Sequence, residues 1–397
     1  MPRWNVSAGA LLFAAVPSLN LAVGGADAGS PEGGVLAAQP PIRATRVAIV
    51  TGHQSLVPEL KAAEILKARI LKRSAVAVGM AREDAPEAEE TRAKAQVIFV
   101  VGSPGGNALS ANLLRALGAK LPTLPNSDQV HPEGFAVKFG VVDGKNHVVI
   151  AGADPRGTIY GVGWMLRAMT YLPDALVIPA VGAAEKPAFS MRGGRPTGPG
   201  SRARQLGNLR PQTPVEQQEV MEDLMLLGTN IFEGDPVHVR SYGMLTVFGR
   251  TANEMPAGFP GEWGADGRRS SRYVCPSVPE ARQALLDSFD QMFRDAPDFD
   301  FFTTNSGDEG GCRCDKCMPW GDKYIALVHD IAALLEKYHP GTKVLATSQD
   351  LTNDGNQAFF KYLNCQDSSW LQAIRYGPGA DEMQTYIRGE VNPRWFE

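Results

Sequence analysis

The chain has 397 residues, of which 44% are hydrophobic and 21% are charged, proportions that are ordinary for a globular protein of two or three domains. Lys and Arg number 39 against 43 Asp and Glu, a formal net charge of -4 without a long basic run. Nucleic-acid binding proteins carry a basic patch or stripe, and this sequence has none, so no nucleic-acid partner is expected.

The N-terminus has the pattern of an export signal. Arg3 precedes an apolar stretch from Ala8 to Val23, and Ala26-Asp27-Ala28 has small residues where signal peptidase needs them. A proline and an asparagine interrupt the stretch, which is too short for a confident membrane span. The sequence therefore predicts a signal peptide over residues 1–28 and a secreted or periplasmic protein with no stable membrane span after cleavage. An uncleaved anchor is the alternative.

A connector over residues 29–45, rich in Gly, Ala and Pro, leads to a region where strands alternate with helices. Buried strands are predicted at Arg46–Gly52, Ala75–Met80 and Ala95–Gly102. One helix is predicted after the first strand, with Ser55 as its cap and Pro58 in its first turn. A second helix is predicted from about Ala108 to Leu117.

The segment Glu133–Gly152 is the clearest hairpin, because two β-branched runs flank Asp143-Gly144, a pair that favours a tight primed turn. Asp154 then caps a helix that has Pro155 at its first position. Together these elements predict an α+β domain over residues 46–185.

The region 186–397 repeats a strand–helix alternation, with polar residues at the carboxyl ends of the strands. Six strands are predicted, at Phe189–Pro196, Thr229–Asp235, Tyr242–Gly249, Asp300–Glu309, Lys343–Asp350 and Ser369–Gly377. The pattern is typical of a (β/α)₈ TIM-type barrel, whose sites lie at that face. Only 212 residues follow residue 185 (397 − 185), against about 250 for such a barrel, so the expectation is either a fragment or a barrel that is incomplete at the C-terminus.

Two adjacent carboxylates, Asp308 and Glu309, end the fourth of these strands, and glycines on both sides of the pair loosen the backbone. A carboxylic acid at a barrel mouth acts as a general acid if burial raises its pKa. A loop-solvating or helix-capping pair is the alternative from the local pattern alone.

Five cysteines are present, and four of them are candidates for a disulfide or a metal site: Cys275, Cys312, Cys314 and Cys317. The three clustered thiols hold Zn²⁺ only if a fourth ligand folds back to them, and no second paired motif exists. In an exported protein a disulfide from Cys275 is the favoured expectation, with metal and free thiols as alternatives. In each case the predicted role is to brace the loop that carries Glu309. No cofactor and no catalytic metal are expected.

Two parts of the chain resemble secreted glycoside hydrolases of family 20 (β-N-acetylhexosaminidases), family 67 (α-glucuronidases) and their uncharacterised relatives. The hairpin and the following GADPRGTIYG resemble the end of their N-terminal α+β domain. The segments PAFSMRGG, CPSVPEAR and SGDEGGCRCDKC resemble parts of their barrel.

The resemblance implies roles for particular residues. Glu309 matches the general acid of family 20, and Asp308 matches the residue that orients the 2-acetamido group of the substrate, which itself serves as the nucleophile. Arg192 matches an arginine that binds sugar hydroxyls. Further residues are candidates to line the cleft or act as a base: Glu233, Asp235, Asn305, Asp350 and Trp370.

The sequence therefore predicts an exported glycoside hydrolase that acts on an oligo- or polysaccharide. The alternative is a non-catalytic carbohydrate-binding or surface protein on the same scaffold. A third possibility is a structural metal protein centred on the cysteines.

Overall fold

The computed structural model describes residues 40–193, 213–255, 258–266, 272–306, 311–349, 351–365 and 367–375. The predicted signal peptide, the carboxylate pair Asp308-Glu309 and Asp350 lie outside these ranges. Within them, no helix has the length and apolar character needed to cross a membrane.

The first half of the described chain forms two sheets and four helices. The strands are β1 (Ile42–Ala44), β2 (Arg46–Thr51), β3 (Ala77–Arg82), β4 (Val97–Val101), β5 (Phe135–Val142), β6 (Lys145–Gly152), β7 (Thr170–Tyr171), β8 (Leu176–Ile178) and β9 (Gly182–Glu185). The helices are α1 (Val57–Arg73), α2 (Ala88–Lys94), α3 (Ala108–Ala116) and α4 (Pro155–Ala168). The larger sheet has the order β3-β2-β4-β6-β5-β9, and a small antiparallel sheet has the order β1-β8-β7.

The central strands β2, β4 and β6 are buried except at the first residues of β2 and β6, because helices cover both faces of the sheet. Alternate residues of β2 point to opposite faces. Val47 and Ile49 join the core under α1 and α4, whereas Ala48 and Val50 join the core under α3.

The predicted hairpin is confirmed, since β5 and β6 pair from Val142↔Lys145 and both turn residues, Asp143 and Gly144, have positive φ. The predicted cap of α4 is also confirmed, because the Asp154 carboxylate accepts a hydrogen bond from Gly157 N at 2.9 Å. The cap predicted for α1 is wrong. The N-cap is Leu56, whose N–H donates to the Glu59 carboxylate, while Ser55 Oγ accepts from Gly52 N.

The second half forms one parallel sheet with helices between its strands. The strands are β10 (Ile231–Glu233), β11 (Leu245–Gly249), β12 (Phe301–Asn305), β13 (Lys343–Thr347) and β14 (Leu371–Arg375). The helices are α5 (Pro214–Leu226), α6 (Pro236–Arg240), α7 (Pro279–Asp295), α8 (Trp320–Tyr338) and α9 (Asn353–Cys365). A short 3₁₀ helix, Gly261–Trp263, precedes α7.

The strands of this sheet lie in chain order, β10-β11-β12-β13-β14, and every neighbouring pair is parallel. The last five of the six predicted strands are therefore present, and among the described residues the first is represented only by a parallel bridge between Gly193 and Ile231. The closed TIM-type barrel is not confirmed, because closure requires the last strand to pair with the first. Among the described residues β14 pairs only with β13, and the sheet is open.

One hydrophobic core joins the two halves. Met225 of α5 and Phe232 of β10 belong to the same buried cluster as Leu66 of α1. Helices α4 and α5 approach closely at Gly163, where an added Cβ would lie 2.0 Å from Leu226 O.

Candidate functional site

Polar side chains gather at the carboxyl ends of the middle strands of the parallel sheet. Asn305 ends β12 and is paired in register with Thr347 at the end of β13. The Asn305 Oδ1 atom accepts a hydrogen bond from Thr251 Oγ1 at 3.0 Å, and Ser306 Oγ donates to Gln349 O at 2.5 Å. Parallel strands bring these ends to one edge, which is where open α/β sheets and barrels place their sites.

A buried tyrosine links the ends of two strands at this edge through hydrogen bonds. Tyr324 of α8 is fully buried, and its hydroxyl donates to Thr304 O at 3.0 Å and accepts from Thr347 N at 3.2 Å. Burial raises the pKa of Tyr324, so the hydroxyl stays protonated and keeps its donor role. The ends of β12 and β13 are therefore held in fixed positions.

Asp308 and Glu309 lie outside the described residues, so only their place along the chain is known. They follow Ser306, the last described residue after β12, by two and three positions. The described chain resumes at Gly311, ahead of the cysteines. The predicted roles of the pair stay predictions, as does the role of Asp350.

Glu233 and Asp235 lie at the end of β10. Glu233 is exposed and is in register with Val247, which in turn pairs with Phe301, four residues before Asn305. Asp235 caps the short helix α6, since its Oδ1 accepts from Val237 N at 3.1 Å. The structure thus gives Asp235 a local structural role and does not place Glu233 level with Asn305.

Arg192 lies beside the start of β10, because Asn230 N and Ile231 N both donate to its carbonyl oxygen. Its guanidinium donates to the Glu133 carboxylate, to Tyr160 Oη at 3.0 Å and to Gly228 O at 2.6 Å. These contacts join the two halves of the chain, and none of them is to a residue at the edge around Asn305. Sugar binding by Arg192 stays a prediction.

Glu133 is the buried partner that sequence reasoning missed. Its side chain is 8% exposed and also contacts Arg156 Nε at 3.1 Å and Asn230 Nδ2 at 3.0 Å. Two arginines therefore neutralise one buried carboxylate. No local pattern around Glu133 indicates partners 23 and 59 residues away (156 − 133 and 192 − 133).

Trp370 precedes β14 and so lies at the amino edge of the sheet, opposite the ends of β12 and β13. Its indole stacks on the His329 ring of α8, with centroids 4.9 Å apart and planes at 8°. The structure places it in helix–sheet packing and does not bring it to Asn305.

The structure brings the four candidate cysteines together. Cys275 precedes α7, and Cys312, Cys314 and Cys317 lie between β12 and α8. All are free thiols, where a disulfide was the favoured expectation. A hydrogen bond from Cys317 lowers the pKa of the Cys312 thiol, whereas burial raises the pKa of Cys275.

No protein-family model matches the sequence, and no curated protein is significantly similar to it. Among solved structures, the chain is similar to a family 115 4-O-methyl-α-glucuronidase with specificity for decorated arabinogalactans. The TM-score is 0.54 at 14% identity, over 85% of this chain and 46% of that one. The chain thus spans about half the length of that enzyme.

Two family 20 enzymes match at lower TM-scores. An exo-β-N-acetylglucosaminidase from Vibrio harveyi gives 0.49 at 8% identity, over 87% of this chain and 56% of that one. A chitobiase from Flavobacterium johnsoniae gives 0.45 at 13% identity, over 83% and 55%. The predicted resemblance to glycoside hydrolases is confirmed at the level of the fold, which is what the 14% identity likeness to the family 115 enzyme establishes.

Proposed function

We propose that this protein hydrolyses a glycosidic bond in an oligo- or polysaccharide at the carboxyl edge of its parallel sheet. The observation that carries the proposal is the position of Asp308-Glu309 directly after β12, the middle strand of five. Sites of such folds lie at this edge, and a carboxylic acid is the group that glycosidases use there. The fold shared with an α-glucuronidase supports the same class of reaction.

In the proposed mechanism, Glu309 is the general acid. It transfers its proton to the glycosidic oxygen as the bond to the anomeric carbon breaks, and positive charge develops on the sugar ring. To do so it must be protonated near the working pH, which requires an environment that raises its pKa.

Asp308 assists on the side of the sugar ring. On a substrate with a 2-acetamido group, it orients that group for attack on the anomeric carbon. On a substrate without one, a second carboxylate is needed as nucleophile or base. Of the three sequence candidates, Asp235 caps α6 and Glu233 is not level with Asn305, so we propose Asp350, which follows β13 in the chain. Asn305 and Thr251, which are joined by a hydrogen bond at this edge, are the neighbouring polar groups that would contact sugar hydroxyls.

Two substrate classes follow from the comparisons and the sequence. The structural neighbour of family 115 is a 4-O-methyl-α-glucuronidase, and the sequence resembles family 20 at the carboxylate pair. The test therefore uses a panel of chromogenic aryl glycosides that includes an α-glucuronide and an N-acetyl-β-glucosaminide.

The panel compares wild type with Glu309→Gln and with Glu336→Gln, a control on the exposed face of α8. We expect activity on one substrate, a loss of kcat/KM of about 10²-fold or more in Glu309→Gln, and no loss in the control. Equal activity in all three would remove Glu309 from the acid role. A folded wild type that binds glycans without cleaving any of the panel would favour the carbohydrate-binding alternative.

A further inference from the structure

We propose that Cys275, Cys312, Cys314 and Cys317 bind one Zn²⁺ ion in a closed, tetrahedral, structural site. The proposal concerns a metal that takes no part in the proposed hydrolysis. Its test is therefore independent of the role proposed for Glu309.

The sulfur positions fit a tetrahedron. All four Sγ atoms lie within 4.8 Å of one another, and Cys275 Sγ is 3.7 Å from Cys314 Sγ and 3.6 Å from Cys317 Sγ. A Zn–S bond of about 2.3 Å gives an S···S edge of about 3.8 Å in a regular tetrahedron. A disulfide instead pairs each sulfur with one partner at about 2.05 Å. Here Cys275 lies almost equally far from two sulfurs.

The surroundings of the sulfurs suit thiolates. Cys312 and Cys317 are completely buried, and Cys275 is 6% exposed. The backbone N–H of Asp266 points to Cys312 Sγ at 3.3 Å, and the Ser277 hydroxyl lies 3.0 Å from Cys317 Sγ. Hydrogen-bond donors at metal-bound sulfur spread its negative charge, which a buried thiolate requires.

Backbone hydrogen bonds fix the two segments that carry the cysteines. Cys317 N and Met318 N both donate to Cys314 O, at 2.9 and 3.1 Å, and this turn presents Cys314 and Cys317 to one point. Cys275 is fixed from the other side, since its N–H donates to Trp263 O at 2.7 Å. The ligands therefore come from two separate segments that tertiary structure has already joined.

Four sulfur ligands decide both the metal and its role. Tetrahedral sulfur sites select zinc or iron, and zinc is the metal of structural Cys₄ sites. Four protein ligands leave no position for water, so the ion has no catalytic function. On binding, the four thiols release their protons to solvent, and Zn²⁺ with four thiolates carries a net charge of -2.

The first experiment measures metal in the purified full-length chain by mass spectrometry. We expect about one equivalent of zinc in wild type and in Cys365→Ser, an exposed cysteine outside the cluster, and little in Cys317→Ser. If Cys317→Ser fails to fold, Cys314→His at the half-exposed position is the second variant. It is expected to keep zinc as a Cys₃His site.

A thiol titration in denaturant and chelator, without reductant, separates the alternatives. Zinc predicts that all five cysteines react, whereas one disulfide predicts three (5 − 2). Fewer than five thiols without zinc would overturn the proposal in favour of disulfide. Five thiols in a reduced chain that binds no added zinc would also overturn it, and one equivalent of iron in place of zinc would overturn the choice of metal.

Discussion

At the scale of single residues, burial of His147 makes the stability of the first sheet depend on pH. The ring is 7% exposed, and its Nδ1 lies 3.0 Å from Lys145 O, which a neutral imidazole satisfies by donating. Burial lowers the pKa of His147 below its usual value of 6.5. Between the two pKa values the unfolded chain binds a proton that the folded chain does not.

His147 therefore contributes stability that is present above about pH 6.5 and is lost as the pH falls toward the lowered pKa. In His147→Gln this part of the pH dependence should disappear, because glutamine does not titrate. Unfolding by urea at several pH values between neutrality and mild acid checks the difference between variant and wild type. The same slope in both proteins would contradict the assignment to His147.

The contacts of Glu133 with Arg192 and other distant residues could not be predicted from the sequence. The resemblance predicts sugar binding by Arg192, but the structure engages its guanidinium with Glu133, Tyr160 and Gly228 O. Glu133 has a backbone φ of 61° and binds arginines that are distant in the sequence. Neither property leaves a local pattern around Glu133. Asp154 was predictable as a cap because its partner, Gly157, is three residues away.

At the scale of elements, the contact of α4 with α5 depends on Gly163. An alanine there would place a methyl group 2.0 Å from Leu226 O, a backbone atom that also accepts a hydrogen bond from Arg167 Nη1 at 2.8 Å. Alanine favours a helix by about 1 kcal/mol over glycine, but the clash with backbone forces the helices apart.

We therefore expect Gly163→Ala to lower the free energy of unfolding by about 1–3 kcal/mol, measured as a fall in Tm. Gly105→Ala is the control, since an added Cβ at Gly105 meets nothing within 4 Å. A Gly163→Ala protein as stable as wild type would show that the two helices can separate without cost.

Most elements were predictable because their signals are local. The Asp143-Gly144 turn fixes the register of β5 and β6, and apolar runs mark β2 and β4. The start of α1 was missed because Glu59, a buried residue inside the helix, caps Leu56 N and also accepts from Ser103 N at 2.7 Å. That second contact joins residues 44 positions apart (103 − 59) and belongs to tertiary structure.

At the scale of the whole molecule, the alternation of strands and helices predicted six parallel strands in chain order. The structure has the last five in that order, and among the described residues the first is present only as the Gly193–Ile231 bridge. Closure into a barrel was not predictable with the same certainty, because it depends on pairing between the most distant strands. The cysteines show the same division. Their spacing indicated a cluster, but the approach of Cys275 to Cys314 and Cys317 comes from the folding of two segments onto each other.

Proton donation by Glu309 to the leaving group can be measured with a series of aryl glycosides of one sugar whose phenols differ in pKa. An acidic phenol leaves without help, whereas a basic phenol needs the proton. We predict that the ratio of kcat/KM between wild type and Glu309→Gln rises steeply as the leaving phenol becomes more basic. A ratio that stays constant across the series would mean that Glu309 supports the structure or binds substrate and is not the general acid.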